Sequence, residues 1–425
     1  FKLMRNNIKI IKRLCLMVFP TVFRSSDFKE LLMLYEKLLK HHGTLGTIKY
    51  MKNIRLLVTR YICGVPIVIN TFGIATDKGW PRKLNFLKDR LGSKIGISYI
   101  LTLLMFNRSI NLSKQEIKKE IRNISYDTIT KPSSSQYTIP TGFIKEFITN
   151  NNISKITPDE MKFSLKDIYL SVKGGPQGKA SNTALNNWAN YSYNHLALLF
   201  KLFSQEGIDY ITKSYHYWFN NYQEFPTKHK YLGKLEVIKD PEGKLRIVAI
   251  SDYFTQLALR KLHDCLFKRI KHSFKETDRT FTQNPFHKWE DNDHSFWSLD
   301  LSSATDRFPR ILQMRFLAVL INHEYAKAWF EHLGTICFKT LDGMSGIKYQ
   351  TGQPMGTYSS WITFVFCHHL VVHYCAKLEG ISNFSQYIIL GDDIVIKHDK
   401  VAKRYIKVMQ SMGVDLSLTK THVSK

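Results

Sequence analysis

Two acidic positions carry the most chemistry in this sequence. Gly391-Asp392-Asp393 lies between Tyr387-Ile388-Ile389-Leu390 and Ile394-Val395-Ile396. An apolar run, an acidic turn and a second apolar run form the pattern of a β-hairpin. Asp300 closes another strand-like run, Phe296-Trp297-Ser298-Leu299-Asp300. Two strands that each deliver an Asp to one edge of a sheet make a site for two divalent ions. Such a pair of ions stabilises both the attacking and the leaving oxygen of a phosphoryl transfer. Gly-Asp by itself also makes ordinary turns, so the reading rests on the neighbours.

Asp300-Leu301-Ser302-Ser303-Ala304-Thr305-Asp306 supplies another carboxylate six positions on. Asp306 is displaced from Asp300 and can hydrogen-bond a sugar hydroxyl; the plain alternative is a helix N-terminal acid. Pro309 then opens a helix, as proline at a first helical position does. Gly352-Gln353-Pro354-Met355-Gly356-Thr357-Tyr358-Ser359-Ser360-Trp361 is a glycine loop feeding an apolar helix that runs to about Tyr374. The hydroxyls of Ser359 and Ser360 can cap that helix, or meet a ribose or a base. His369 and His373 on the same helix have the i, i+4 spacing of a metal pair. No acid sits between them and the face is apolar, so His368, His369 and His373 read as satisfied core histidines.

Further cations lie along the chain. Lys173-Gly174-Gly175-Pro176-Gln177-Gly178-Lys179-Ala180-Ser181 is a glycine-rich basic loop. Its backbone can approach phosphates closely, though ordinary surface loops carry the same composition. The segment 234–250 reads strand, Asp-Pro-Glu-Gly turn, strand, and carries Lys239, Lys244 and Arg246. Lys244 and Arg246 are two apart and share a face, so they can hold a triphosphate or simply be a solvated face. After the acidic hairpin, Val401, Tyr405, Val408 and Met412 recur at helical spacing, and Gly413 ends that helix. Lys420 follows in Leu416-Ser417-Leu418-Thr419-Lys420. A lysine placed there can protonate a pyrophosphate leaving group, or be a solvated surface lysine.

The elements that must position these groups imply a large α+β protein. The 425 residues suffice for two or three domains, and 44% hydrophobic content fits a folded chain. Residues 1 to about 130 read as mainly helical, and 127–141 as a Ser/Pro-rich loop or boundary. Tyr253 to Lys271 reads as a helix. Lys+Arg 61 against Asp+Glu 35 leaves a net charge of +26, distributed along the chain, which fits a polyanionic partner or a generically basic protein with an A/T-rich coding bias toward Lys, Ile and Asn. Cys15, Cys63, Cys265, Cys337, Cys367 and Cys375 make no CxxC pair and read as reduced, mostly buried thiols of an intracellular protein. No apolar stretch reaches membrane-spanning length. The first 24 residues hold Lys2, Arg5, Lys9, Lys12, Arg13 and Arg24 and no acid. That fits a mitochondrial presequence or a basic amphipathic helix of the fold. A chain that opens on Phe1 and stops at Lys425, just after a motif, is expected to be a fragment lacking its C-terminal part.

In order and spacing these segments resemble a viral RNA-dependent RNA polymerase, most closely the mitovirus branch with its narnavirus and levivirus relatives. The resemblance covers roughly residues 165–425. Its most specific parts are DLSSATDRFP at 300–309, GQPMGTYSSW at 352–361 and LGDDIVI at 390–396. It implies a right-hand polymerase with an antiparallel palm sheet backed by helices and a thumb mostly missing. The implied division is a helical region at 1–160, fingers at 161–295 and palm at 296–425. It implies two Mg²⁺ ions (Mn²⁺ as a substitute) on Asp300, Asp392 and Asp393, Asp306 selecting the ribose 2′-hydroxyl, and Lys420 as the acid. Lys239, Lys244 and Arg246, with Ser359 and Ser360, would bind nucleotide. Lys173, Gly174, Gly175, Gly178, Lys179, Gly352, Gln353 and Gly356 would meet RNA. Template and product RNA and NTPs are the implied partners, and the mitochondrion the implied location. Two rivals stand beside this reading. A reverse transcriptase would carry an aromatic near the Asp pair, where this chain has Leu390, and a bulky residue at the sugar gate, where it has Asp306. A decayed, endogenised copy would bind RNA without synthesis.

Overall fold

The computed structural model describes residues 2–133, 139–169, 171–222, 229–284, 287–417 and 420–425. Residues 134–138 of the Ser/Pro loop, and Leu418 and Thr419 of the run leading to Lys420, lie outside the described residues. The fold is α+β, with long helices and small sheets. By internal contacts the chain divides into two units, residues 1–124 with 238–246 and 422–425, and residues 125–237 with 247–421. The division after Ile124 falls beside the Ser/Pro-rich stretch at 127–141 read as a loop or boundary, and earlier than the 160 that the family resemblance implies. Residues 125–160 belong to the larger unit because Ile144, Phe147, Ile148, Ile153 and Ile156 are buried in its core.

The smaller unit is mainly helical, as its sequence implies. Helix α1 spans Lys2–Val18. Helix α2 spans Ser25–Ile62 and breaks at Gly43, where φ is +65°. Leu31, Tyr35, Ile48, Ile54, Leu57, Tyr99 and Leu103 are fully buried in its core. Burial of these side chains is the main favourable term in the unit. Strands β1 (Gly233–Asp240) and β2 (Lys244–Ile250) form the expected hairpin, whose outer half groups with this unit. Glu242 sits in the hairpin turn with φ +63°. Its carboxylate accepts from Arg55 Nη1 and Nη2 at 2.7 and 2.9 Å and from Asn107 Nδ2 at 2.8 Å.

In the larger unit, α3 (Ala180–Ala189), α4 (Gln205–Tyr222) and α5 (Tyr253–Ser273) precede an antiparallel sheet. The strands of this unit in that sheet are β3 (Phe296–Asp300), β4 (Tyr387–Leu390) and β5 (Asp393–Ile396), in the order β4-β5-β3. Burial alternates along the strands, with Tyr387, Ile389, Ile394 and Ile396 fully buried, the period-two pattern of a sheet with one covered face. Helices α6 (Ser360–Leu378) and α7 (Asp399–Ser411) pack behind it. Residues 360–376 of α6 are buried nearly all round, which fits an apolar helix in the centre of a core. The free edge of β4 is covered: Arg279 N donates to Ile389 O at 2.7 Å and Ile389 N to Thr277 O at 2.9 Å, which removes an open strand edge. Gly413 ends α7 with φ +76°. The helix after Pro309 spans Arg310–Leu320, so the proline stands one position before it. No single described helix is long and apolar enough to cross a membrane. All six cysteines are unpaired, four of them buried.

Candidate active site

The acidic residues converge because of strand register. Ile394 faces Leu299 and Ile396 faces Trp297, and this pairing sets Asp393 directly opposite Asp300. Side chains directly opposite on one face come within about 5 Å. The β4–β5 loop is only two residues, Gly391 and Asp392, because Leu390 pairs with Asp393. The sequence reading placed both acids in the turn; in the structure Asp392 occupies the turn and Asp393 begins the strand. One oxygen from each of Asp300, Asp392 and Asp393 lies within 4.8 Å of the others. Asp300 is buried, Asp392 half-buried and Asp393 more open.

Three carboxylates this close repel one another. Desolvation, the hydrogen bond with Asp300 and the charges of Asp392 and Asp300 push the Asp393 pKa up to about 7. Residues 415–417 run antiparallel beside β3, with Ser302 N bonded to Asp415 O and Ser417 N to Asp300 O, each at 2.8 Å. This brings the Lys420 ammonium to 2.7 Å from Asp300 Oδ2. Desolvation pulls the Lys420 pKa down, but the bond to Asp300 and the nearby acidic charges outweigh it and raise the pKa.

The turn is built on glycine for two reasons. Gly391 has φ +66°, a conformation glycine adopts readily. A Cβ there would lie 2.2 Å from the indole of Trp361. The Gly391 N–H donates to Thr280 Oγ1 at 2.9 Å. Its carbonyl faces His368 Nδ1 at 2.9 Å, and His368 Nε2 faces the Tyr405 hydroxyl at 2.7 Å. A carbonyl only accepts, so Nδ1 carries the proton and Nε2 accepts from Tyr405. Burial lowers the His368 pKa to about 3 and keeps this neutral tautomer. His369 bridges Asp278 and Tyr387, and His373 bonds Tyr387 at 3.0 Å. Thus the three histidines are hydrogen-bonded core groups, as their apolar face implies.

Other expected site residues are placed as follows. Asp306 Oδ2 accepts from Thr128 Oγ1 at 2.8 Å, and burial raises its pKa. Gly352 and Gln353 are buried. A Cβ on Gly352 would lie 2.1 Å from the Thr305 carbonyl, and Gln353 N donates to that carbonyl at 2.9 Å. They pin the glycine loop against 305–306. Gly356 is exposed. The hydroxyls expected to meet a ribose or base are turned inward: Ser359 Oγ accepts from Trp329 Nε1 at 3.3 Å and Ser360 Oγ donates to Thr357 O at 2.8 Å. Ser359 makes no side-chain cap. Lys173, Gly174, Gly178 and Lys179 are exposed on a tiny hairpin in which Gly174 faces Lys179 and Gly175, which is buried, faces Gly178. Lys239, Lys244 and Arg246 are exposed, and Arg246 pairs with Asp240 at 2.8 Å. Sequence reasoning missed Trp361, Thr280 and Thr128. None has a spacing signal, because each acts through a fold contact.

Hard oxygen donors gathered at this spacing suit a divalent cation, and the fold sets this acidic cluster on the end of a small antiparallel sheet. Residues 161–425 match the family model described as mitovirus RNA-dependent RNA polymerase, and the chain belongs to that family. It is similar to the RNA-directed RNA polymerase of Cryphonectria parasitica mitovirus 1 (strain American chestnut tree/New Jersey/NB631), 39% identical over 199 residues, which are 45% of this chain and 24% of that protein. The match therefore spans about a quarter of that relative's length. Two uncharacterized mitochondrial proteins of Arabidopsis thaliana are also similar. One is 36% identical over 153 residues, covering 34% of this chain and 74% of that protein. The other is 34% identical over 158 residues, covering 35% and 62%. Among solved structures, the RNA-dependent RNA polymerase of a human picorbirnavirus aligns with a TM-score of 0.47 and 14% identity, over 74% of this chain and 59% of that one.

Proposed function

We propose that this chain carries the catalytic part of an RNA-directed RNA polymerase that extends an RNA 3′-hydroxyl with NTPs on an RNA template. In this reading it replicates a capsidless RNA genome. The observation that carries it is the register pairing of Asp393 with Asp300, with Asp392 in the adjoining turn, in a member of this polymerase family. Asp300, Asp392 and Asp393 would hold two Mg²⁺ ions, with Mn²⁺ able to replace them. Those ions, when bound, supply charge stabilisation for the attacking and leaving oxygens.

The chain's own residues do the rest. His368, Tyr405, Thr280 and Trp361 fix the Gly391–Asp392 turn, so Asp392 is held before any ligand arrives. Asp306 accepts from Thr128, and its carboxyl keeps further acceptor capacity for a ribose 2′-hydroxyl. Lys420 is the proton donor to the departing pyrophosphate, and its raised pKa keeps it protonated at neutral pH. Lys239, Lys244 and Arg246 are the triphosphate cations of this reading. The exposed lysines of the 173–179 hairpin contact RNA backbone, in keeping with the +26 net charge. Ser359, Ser360, Gly352 and Gln353 act by shaping the loop that carries Gly356. The plant mitochondrial relatives support a mitochondrial location.

Primer extension on a short RNA template, with labelled NTPs and Mg²⁺, tests this beside Asp392→Ala. Synthesis that disappears in the variant is the expected result. RNA binding with no synthesis in Mg²⁺ or Mn²⁺ would overturn it and leave a binding protein. Preference for dNTPs would point to a reverse transcriptase.

A further inference from the structure

A chamber of about 610 Å³ opens in the larger unit between α3, α4 and the start of α5, away from the carboxylate cluster in sequence and in lining. Trp188, Tyr210, Tyr215, Tyr253 and Phe254 supply five aromatic rings to its wall. Trp188 is the centre of this group. Its ring lies 5.5 Å from that of Tyr215, at 35°, and 5.2 Å from that of Phe254, at 70°. Ser181, Asn182 and Ser214 are the non-aromatic hydrogen-bonding side chains of the lining, and among the described residues no acidic side chain lines it. The volume falls in the range of sites for molecules of nucleotide size.

The walls are fixed. Asn187 Oδ1 accepts from Tyr253 N at 3.0 Å, tying α3 to α5, and Asn187 Nδ2 donates to Gln177 of the glycine-rich hairpin. Exposed Lys179 precedes α3 by one residue, and exposed Lys213 stands beside Ser214 on α4. Nearby acids are engaged elsewhere: Asp209 accepts from Gln205 at 2.9 Å and Asp167 pairs with Lys261 at 3.2 Å. Flat apolar walls, a few amide and hydroxyl groups and cations at the side describe a ligand with a planar heteroaromatic part and an anionic part.

We propose that this chamber takes one base of single-stranded RNA, stacked on the Trp188–Tyr215 wall, with the adjoining phosphates near Lys179 and Lys213. A duplex keeps its bases stacked on each other and cannot offer one. The inference deepens the polymerase reading, since it assumes the chain handles RNA, and it adds a base-holding site separate from the carboxylates.

The test measures binding of fluorescein-labelled 12-nucleotide oligo(U) and oligo(A), and of a blunt RNA duplex, by anisotropy at fixed salt. The proteins are the unsubstituted chain, Tyr215→Ala, which removes part of the stacking wall, and Ser214→Trp, which fills the chamber. Stacking on an aromatic predicts a loss on the order of tenfold for the single strands, with duplex affinity retained. Unchanged single-strand affinity in both variants would overturn the proposal and leave the chamber to an apolar peptide or small molecule. If both variants misfold, 4-thiouridine RNA crosslinked to the unsubstituted chain decides: crosslinks within residues 180–222 or 253–257 support the site, and crosslinks only elsewhere refute it. Asp392→Ala separates the two readings. If it binds RNA normally while no form of the chain synthesises RNA, the polymerase reading fails and the chamber stands or falls on the binding data.

Discussion

Two sets of carboxylates, one in each unit, are handled in opposite ways. In the smaller one, Asp27 meets the equally buried Arg90 at 2.6 Å and the Tyr99 hydroxyl at 2.8 Å. Glu242 meets both terminal nitrogens of Arg55. Burial would raise the Glu242 pKa, yet the bonds to Arg55 and Asn107 bring it below the usual value. Each acid has a guanidinium built into the fold, and charge-assisted pairs of that geometry act as struts. In the larger unit Asp300, Asp392 and Asp393 crowd together around one lysine, and the pKa of Asp393 is raised. Matched charge makes a support; a negative excess makes a receptor for cations from solution.

The largest effect should come from exchanging charge at each place. Asp392→Asn should lower metal-dependent RNA synthesis by at least ~10³-fold, since a metal site contributes several kcal/mol to the transition state. Its melting temperature without metal should hold or rise, because repulsion is relieved. Asp27→Asn should do the reverse, costing about 3–5 kcal/mol of stability by leaving Arg90 buried without its partner. Chemical denaturation and extension assays on both variants check this. A strongly destabilised Asp392→Asn would break the contrast.

Acid should also distinguish the units. Burial lowers the pKa of His332, His368 and His373 to about 3 and pulls His369 down as well. Unfolded histidine titrates near 6.5, so below that the unfolded chain binds protons the folded chain refuses. The stability these groups provide is complete above about pH 6.5 and is lost as pH falls toward 3, at up to ~1.4 kcal/mol per pH unit for each histidine. Of the histidines pushed down, the smaller unit holds only half-buried His422. The stability carried by Glu242 goes only as pH falls through the carboxylate range, near 4 and below. Hydrogen exchange at pH 7 and 5 should therefore show opening of the larger unit first, and His368→Gln should flatten its slope. Equal loss in both units would count against the assignment.

Two hairpin glycines give a smaller, matched pair. Gly391 and Gly243 have nearly the same φ, +66° and +67°. An added Cβ meets the Trp361 ring at 2.2 Å in the first and the tip of Leu112 at 3.1 Å in the second. Gly243→Ala should cost about 1 kcal/mol, the backbone penalty alone. Gly391→Ala should cost about 1–3 kcal/mol more through overpacking and move Asp392, so synthesis falls with stability. Trp361→Leu in the same chain should restore part of both.

How much of this was readable from sequence follows from what each feature depends on. The strands around Asp300 and Asp392 were legible because short apolar runs and a Gly-Asp turn are local signals. The core histidines were legible because their helix is apolar on every side. The cross-strand partner of Asp300 was not, since register is set by which residues pair over 93 positions of chain, and the reading gave both acids to the turn. Ser359 and Ser360 look available in sequence and are turned inward by Trp329 and Thr357. Glu242 looked like an ordinary turn residue; its anchor, Arg55, is 187 positions away. The hydroxyl partner of Asp306, Thr128, was hidden for the same reason.

Lys420 gives the finest test, because it belongs to both sides of the comparison. In the structure it is the cation on Asp300, yet its side chain is 62% exposed, so solvent screens the pair and its contribution to stability is small. A divalent ion on Asp300 must share that oxygen with the ammonium or displace it. Lys420→Ala should therefore tighten metal binding by a modest factor, about two- to tenfold, the scale of a partly exposed charge contact. The same change should slow nucleotide addition by about 10²-fold if the ammonium protonates pyrophosphate. Lys420→Arg keeps the charge and loses most of the acidity, so it should leave metal affinity near that of the unsubstituted chain while synthesis still falls. Isothermal titration with Mn²⁺ and single-turnover extension read the two effects separately. If Arg restores both, Lys420 is a strut like Arg90 and not an acid; if it restores metal affinity alone, the ammonium does chemistry that the guanidinium pairs of the smaller unit cannot.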